Sequence, residues 1–185
     1  MGEAMPVDYF GKWFSANGFD FTGLINADFV QPVRVLYQNQ HYVSATKLLL
    51  IAIDSVSFIE FGEIKENSFI KWLDAYADFS QMEITSIELW EHRNALLHMS
   101  SLTSRKIKKG NVRMLVGYLG EVPSEVTLNN SDVGYYKIRD LIMVVANAFA
   151  QWCQTYDIDR NKINDFVERY DLIASDDRML KIRLG

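Results

Sequence analysis

The chain has little of the chemistry on which disulfide bonds, metal sites and cofactor sites depend. It has one cysteine, Cys153, so an internal disulfide is excluded, and the apolar helical pattern around it predicts a small buried side chain. The three histidines and this cysteine have no spacing that is typical of a zinc site. No glycine-rich loop follows a predicted strand, which argues against an ATP or dinucleotide fold. We therefore expect neither a metal nor a cofactor.

Long apolar runs and targeting signals are also missing. Residues 48–53 form too short an apolar run to span a membrane, and Asp54 interrupts it. Residues 1–18 lack the basic start and apolar core of a secretory signal. The net charge of −5 makes general attraction to nucleic acid unfavourable. These features predict a cytoplasmic protein that does not associate with membranes.

Apolar side chains make up 49% of the 185 residues, enough to bury the core of one domain over residues 1–185. Their periodicity predicts a mainly α-helical protein, a bundle of about five to six helices. Gly23 and Pro32 punctuate a segment, residues 19–31, that we expect to be irregular. The predicted helices are residues 45–61, 68–79, 84–99, 136–156 and 162–173.

The helical period breaks between residues 103 and 119. Lysines there alternate loosely with apolar residues, and Gly110-Asn111 supplies turn chemistry. This pattern predicts a small β-hairpin, or another extended excursion, between two long helices. Residues 120–132 are predicted to form a loop.

The helix predicted over residues 84–99 carries an arginine in an unusual place. Arg93 falls in the middle of an apolar side that includes Trp90 and Leu97. Burying a guanidinium costs several kcal/mol unless it is paired and hydrogen-bonded. We therefore expect Arg93 to belong to a buried ion pair, an interface or an active site. The opposite side of the helix is predicted to be wetted by water, and it holds Glu88, Glu91 and His92.

Two further polar residues follow Arg93. Asn94 and His98 are four residues apart, so their side chains are neighbours on the helix. Arg93 and His98 are about 140° apart around the helix. They can meet through the reach of the arginine, through unwinding at the helix end, or across a dimer axis. An arginine in a structural ion pair and a histidine that favours the helix C-terminus are the non-functional alternatives.

Arg93, the polar Asn94 and His98, with four residues between the arginine and the histidine, resemble the motif of the HEPN superfamily. An apolar helix containing Ile53-Asp54-Ser55 lies about forty residues upstream, as the resemblance requires. The resemblance covers residues 40–156. It implies a HEPN-like helical core over these residues, usually dimeric, with many members acting as metal-independent endoribonucleases. Residues 1–39 are then an N-terminal extension packed on the bundle, and residues 157–185 a C-terminal helix and tail.

Such enzymes let the RNA 2′-hydroxyl attack the adjacent phosphorus, which leaves 2′,3′-cyclic phosphate ends. His98 is the candidate proton acceptor, and Arg93 is the candidate group that stabilises the phosphorane. Asn94 is expected to orient His98 or to bind the phosphate. A homodimer would bring two such sets into one groove. The resemblance also suggests a toxin or defence component with a neutralising protein partner. The alternative is a non-catalytic HEPN-like helical binding module for nucleic acid, a nucleotide or a protein.

Two supporting features each have two interpretations. Asp54, an acid in an apolar helix, either bonds a hydroxyl such as that of Ser57 or pairs with Arg93 and holds the guanidinium. A basic cluster without acids follows the motif helix and is either a solvated loop or a patch that binds the RNA backbone. The members of this cluster are Arg105, Lys106, Lys108, Lys109 and Arg113.

Overall fold

A computed structural model describes residues 11–16, 18–123 and 126–174, and it confirms the mainly helical fold class. The predictions for residues 1–10 and for the tail from residue 175 lie outside these ranges. The helices are α1 (Phe21–Ile25), α2 (Gln31–Gln38), α3 (Tyr42–Phe61), α4 (Ser68–Tyr76), α5 (Ser86–Met99), α6 (Arg105–Lys108), α7 (Ile138–Ile158) and α8 (Lys162–Tyr170). The strands are β1 (Phe14–Ser15), β2 (Gly18–Phe19), β3 (Met114–Tyr118) and β4 (Val133–Lys137).

Helix α3 is the centre of the bundle. It is apolar on most sides, and it contacts α2, α4, α5, α7 and α8. Leu50, Ile53 and Val56 are completely buried. The helix ends where the sequence predicts, because Gly62 adopts a left-handed φ of 63° that favours glycine.

Helix α3 is also the one helix among the described residues whose length and apolar composition would suffice to cross a membrane. Half of that stretch is buried against other parts of the fold. A central helix of a soluble protein has the same pattern, because apolar residues on all sides are needed wherever a helix is enclosed.

The segment of residues 19–31 is helical, so the prediction of irregular structure there was wrong. Asp20 begins α1 by accepting a hydrogen bond from the Gly23 backbone N–H at 2.8 Å. A side chain on Gly23 would collide with Asp20 and with the ring of Trp13. Gly23 therefore allows close packing at a helix start, and it does not mark a turn. A π-helical segment, Asn26–Val30, connects α1 to α2.

Strands do form near the predicted place, but the β-hairpin was wrong. Strands β3 and β4 pair in parallel, with Met114 opposite Val133 and Tyr118 opposite Lys137. Parallel strands need a long connection, and residues 119–132 provide it. The Gly110-Asn111 signal instead ends the short helix α6, where Gly110 has a φ of 70°.

The C-terminal end of α3 is held by a carboxylate, Glu60, that receives hydrogen bonds from three other helices. Its partners are Tyr76 at 3.1 Å, Trp152 at 2.8 Å and Lys162 at 2.7 Å. Burial alone would raise the pKa of Glu60, but Lys162 and Trp152 outweigh burial and the pKa is lowered. Glu60 therefore connects α4, α7 and α8 to α3. Cys153 is buried on α7, as predicted, and burial raises the pKa of its thiol to about 12.

Candidate active site

Helix α5, which carries the motif, has a firmly defined start. Thr85 accepts a hydrogen bond from the Glu88 backbone N–H at 3.2 Å, and Glu88 accepts one from the Thr85 backbone N–H at 2.8 Å. This capping box satisfies two backbone donors that a helix start would otherwise leave free. It fixes where the helix begins and therefore which residues of the following turns face α3.

Arg93 pairs with Asp54 of α3, as one of the two interpretations of Asp54 expected. The guanidinium Nε and Nη2 lie 2.6 and 2.5 Å from Asp54 Oδ2. The other expected partner, Ser57, instead donates to the backbone carbonyl oxygen of Asp54 at 2.8 Å. Burial raises the pKa of the Asp54 carboxyl, and the hydrogen bond and charge of Arg93 oppose part of this rise.

The Arg93 side chain also joins the other two motif residues. Its Nη1 atom lies 3.2 Å from Asn94 Oδ1 and 3.2 Å from His98 Nε2. The length of the arginine spans the angle around the helix, so neither unwinding nor a second protomer is needed for the contact. A guanidinium can only donate, and therefore His98 Nε2 accepts as part of a neutral imidazole. The guanidinium lies 5.2 Å from the centre of the Trp90 ring, a cation–π contact.

The four side chains differ in how much water reaches them. The side chains of Arg93 and Asp54 are 20% and 26% exposed, and Asn94 is also partly buried. His98 is exposed. The ion pair is therefore a sheltered support, while the imidazole is open to a molecule arriving from solution.

A lysine that the sequence interpretation missed lies on the same face of α3. Lys47 Nζ donates to Ser100 Oγ at 2.9 Å. Asp54–Arg93 and Lys47–Ser100 are two cross-links, and their reversed order shows that α3 and α5 run in opposite directions here. His98 lies between the two cross-links along α5. The available signal was the seven-residue step from Lys47 to Asp54, two turns on one helix face.

The side of α5 that was expected to be wet is buried, so this expectation was wrong. Glu88, Glu91 and His92 are 7%, 4% and 2% exposed. The segment from α6 to β4 covers them and supplies their partners. These contacts are Arg113 to Glu88 at 2.5 Å, Ser104 and Lys106 to Glu91 at 2.6 and 3.1 Å, and Tyr136 to His92 at 2.9 Å.

His92 is neutral in the folded protein at ordinary pH. Burial lowers its pKa to about 4. Its Nε2 atom contacts the Tyr136 hydroxyl, and its buried Nδ1 has no hydrogen-bond partner among the described residues. This histidine is a structural residue of the buried side.

The apolar side of α5 is correspondingly more open than expected. Ile87 is 51% exposed, and Trp90 and Leu97 are half-buried. Ile51 of α3 is 44% exposed. Apolar surface on both helices therefore accompanies the motif residues.

The predicted basic patch is divided between two roles. Arg113 is bound to Glu88, and it also donates to the Glu83 backbone carbonyl at 2.7 Å. Lys106 is bound to Glu91. The remaining three residues of the cluster, Arg105, Lys108 and Lys109, are exposed. Their availability to a phosphate backbone stays a prediction.

No family model matches the chain, and no curated protein or solved structure is similar to it. The likeness to HEPN proteins therefore rests on the motif residues themselves. Among the described ranges, no three histidine, cysteine, aspartate or glutamate side chains are grouped to hold a metal ion.

Proposed function

We propose that the protein is a metal-independent endoribonuclease of the HEPN type. The observation that supports this is the contact of one arginine with three motif partners. Arg93 is fixed by Asp54 and lies 3.2 Å from His98 Nε2, and His98 is itself exposed. A fixed cation beside an accessible imidazole is the pair of groups that metal-free RNA cleavage requires.

The reaction follows from these groups. The RNA 2′-oxygen attacks the adjacent phosphorus, its proton passes to a nitrogen of His98, and the bond from phosphorus to the 5′-oxygen breaks. Arg93 stabilises the extra negative charge of the phosphorane. The products carry a 2′,3′-cyclic phosphate and a 5′-hydroxyl. The departing 5′-oxygen needs a proton, and one imidazole cannot readily serve as base and acid in the same step.

A second copy of the chain would supply that proton. The exposed apolar side chains of Ile87 and Ile51, with Trp90 and Leu97 beside them, favour a homodimer formed through the motif face. Such a dimer would bring two His98 side chains into one groove. Light scattering at micromolar concentration should report a dimer. Ile87→Lys should yield a monomer, whereas Met143→Lys, at an equally exposed apolar position on α7, should not.

The central experiment is an RNA cleavage assay in the presence of EDTA. His98→Ala should lower the cleavage rate by about 10²-fold or more, because positioned acid–base groups typically contribute about 10² to 10⁴. His41→Ala is the matched control, since His41 is an exposed histidine at the start of α3. Activity that needs added magnesium, or equal loss in the two variants, would contradict the proposal.

The second candidate is a non-catalytic HEPN-like binding module, and the state of Arg93 favours it. The Nε, Nη1 and Nη2 atoms of Arg93 all contact protein acceptors. A phosphate can reach the guanidinium only by displacing Asn94 or His98. Binding of single-stranded RNA by the wild-type chain, with no cleavage under any condition, would support this candidate over the enzyme.

A further inference from the structure

A groove at the other end of α5 belongs neither to the motif nor to the basic patch. It consists of two adjoining cavities with volumes of about 290 and 310 Å³. Four residues line both cavities: Glu83, Tyr118, Asn129 and Tyr135. Their combined size suits a small molecule. The groove lies beside the parallel strands, just before the start of α5.

Glu83 is fixed at this groove in an unusual backbone conformation. Its φ of 53° is left-handed, which a non-glycine residue adopts only where its surroundings enforce it. Arg113 holds its backbone carbonyl at 2.7 Å. Asn129 Nδ2 donates to its carboxylate Oε2 at 2.9 Å, and Asn129 Oδ1 in turn accepts from the Tyr135 backbone N–H. The carboxylate is therefore preorganised at the wall of the groove.

The groove combines aromatic surfaces with acceptors. Tyr118 and Tyr135 are half-buried tyrosines that offer ring faces. The nearest cation, Lys137, is already paired with Glu121, and Asp140 adds a second acid. An anionic ligand would be repelled here. A planar ring with two adjacent N–H donors fits, because the donors can reach one carboxylate while the ring lies against a tyrosine.

We propose that this groove binds a guanine base, with Glu83 accepting from the N1–H and the 2-amino group. Guanine is the common base that presents these two donors side by side. Adenine, cytosine and uracil do not. Helix α5 has 14 residues and is about 20 Å long, so the groove is separated from His98 by nearly its whole length. The proposal is therefore independent of the endoribonuclease hypothesis.

Calorimetric titration of the full chain with nucleosides tests the assignment. Guanosine should bind at least 10-fold more tightly than adenosine, and inosine, which lacks the 2-amino group, should fall between them. Glu83→Gln should remove the preference for guanosine. Glu66→Gln, the same change at an exposed acid outside the groove, should preserve it. Tyr118→Leu should weaken the binding of guanosine and inosine alike, which keeps the test decisive if Glu83→Gln fails to fold.

A second titration separates a free nucleoside from a base within RNA. If the groove reads RNA, a uridine hexamer with one central guanine should bind more tightly than guanosine and more tightly than hexauridylate. If it takes a free nucleoside, the hexamer should show no gain over guanosine. Equal affinity for guanosine and adenosine, or no binding of guanosine at millimolar concentration, would overturn the proposal.

Discussion

Helix α5 has polar side chains on two sides, and the fold treats the two sides differently. On one side Glu88, Glu91 and His92 are buried, and each contacts a residue of the segment that runs from α6 to β4. On the other side Arg93 gathers its partners around itself, and His98 stays exposed. The first side holds the covering segment in place, whereas the second keeps an imidazole ready for a ligand. Polar residues one helical turn apart can thus have unrelated purposes.

The largest loss of stability is expected for Glu88→Ala. This change removes the capping box and leaves the Arg113 guanidinium without its carboxylate. Breaking a buried pair by removing one partner typically costs about 3–5 kcal/mol. Urea unfolding measures the loss. Glu66→Ala, which breaks the exposed pair with Lys71, should cost less than about 1 kcal/mol. Similar losses in the two variants would remove the distinction between a buried and an exposed pair.

The next effect depends on pH and involves His92. Its pKa is lowered to about 4 in the folded protein, against about 6.5 in the unfolded chain. The unfolded chain therefore takes up a proton between these values, and the stability present above pH 6.5 is lost as the pH falls towards 4. The loss due to this group is about 3 kcal/mol. Urea unfolding at pH 7 and pH 4 should show a smaller difference for His92→Gln than for wild type. An unchanged difference would mean that the folded protein accepts a charge there.

On the motif side, Arg93→Ala should cost about 1–3 kcal/mol, because Asp54 then keeps a partly buried carboxylate without its partner. Asp54→Asn in the same chain should recover part of that loss. A double-mutant cycle measured by urea unfolding gives the coupling between the two side chains. A coupling free energy near zero would contradict the role of Asp54 as the support of the guanidinium.

The smallest change is expected for His98→Ala, within about 0.5 kcal/mol of wild type, since the imidazole is exposed and only one protein contact is lost. Thermal unfolding followed by circular dichroism tests this. A drop comparable to that of Arg93→Ala would show that His98 helps to hold the helix pair together, so its loss of function could no longer be assigned to chemistry.

The sequence predicted those parts of the fold and the site that depend on local chemistry. The positive φ of Gly62 ends α3 where a glycine was expected to end it. The contact between Arg93 and Asp54 was expected because a guanidinium among apolar residues needs a carboxylate, and α3 offered one. The helical periodicity likewise identified α4, α5 and α7 within a few residues of their ends.

The rest depended on contacts between distant parts of the chain. Nothing local indicates that residues 114–118 pair in parallel with residues 133–137, because that register is set only when both strands pack against α5. Without this cover, Glu91 and His92 fall on the polar side of an ordinary amphipathic helix. Lys47 was missed for a related reason, since its partner Ser100 lies on another helix end.

The burial of Cys153 makes the protein its own clock for internal opening. The thiol is 5% exposed on α7, and its raised pKa leaves almost no reactive thiolate at neutral pH. A thiol reagent can therefore label the chain only during moments when α7 separates from its neighbours. Because the chain has this single cysteine, the labelling rate follows one event at one position. The same measurement would show whether RNA or guanosine slows that event, without any dye or tag attached to the folded protein.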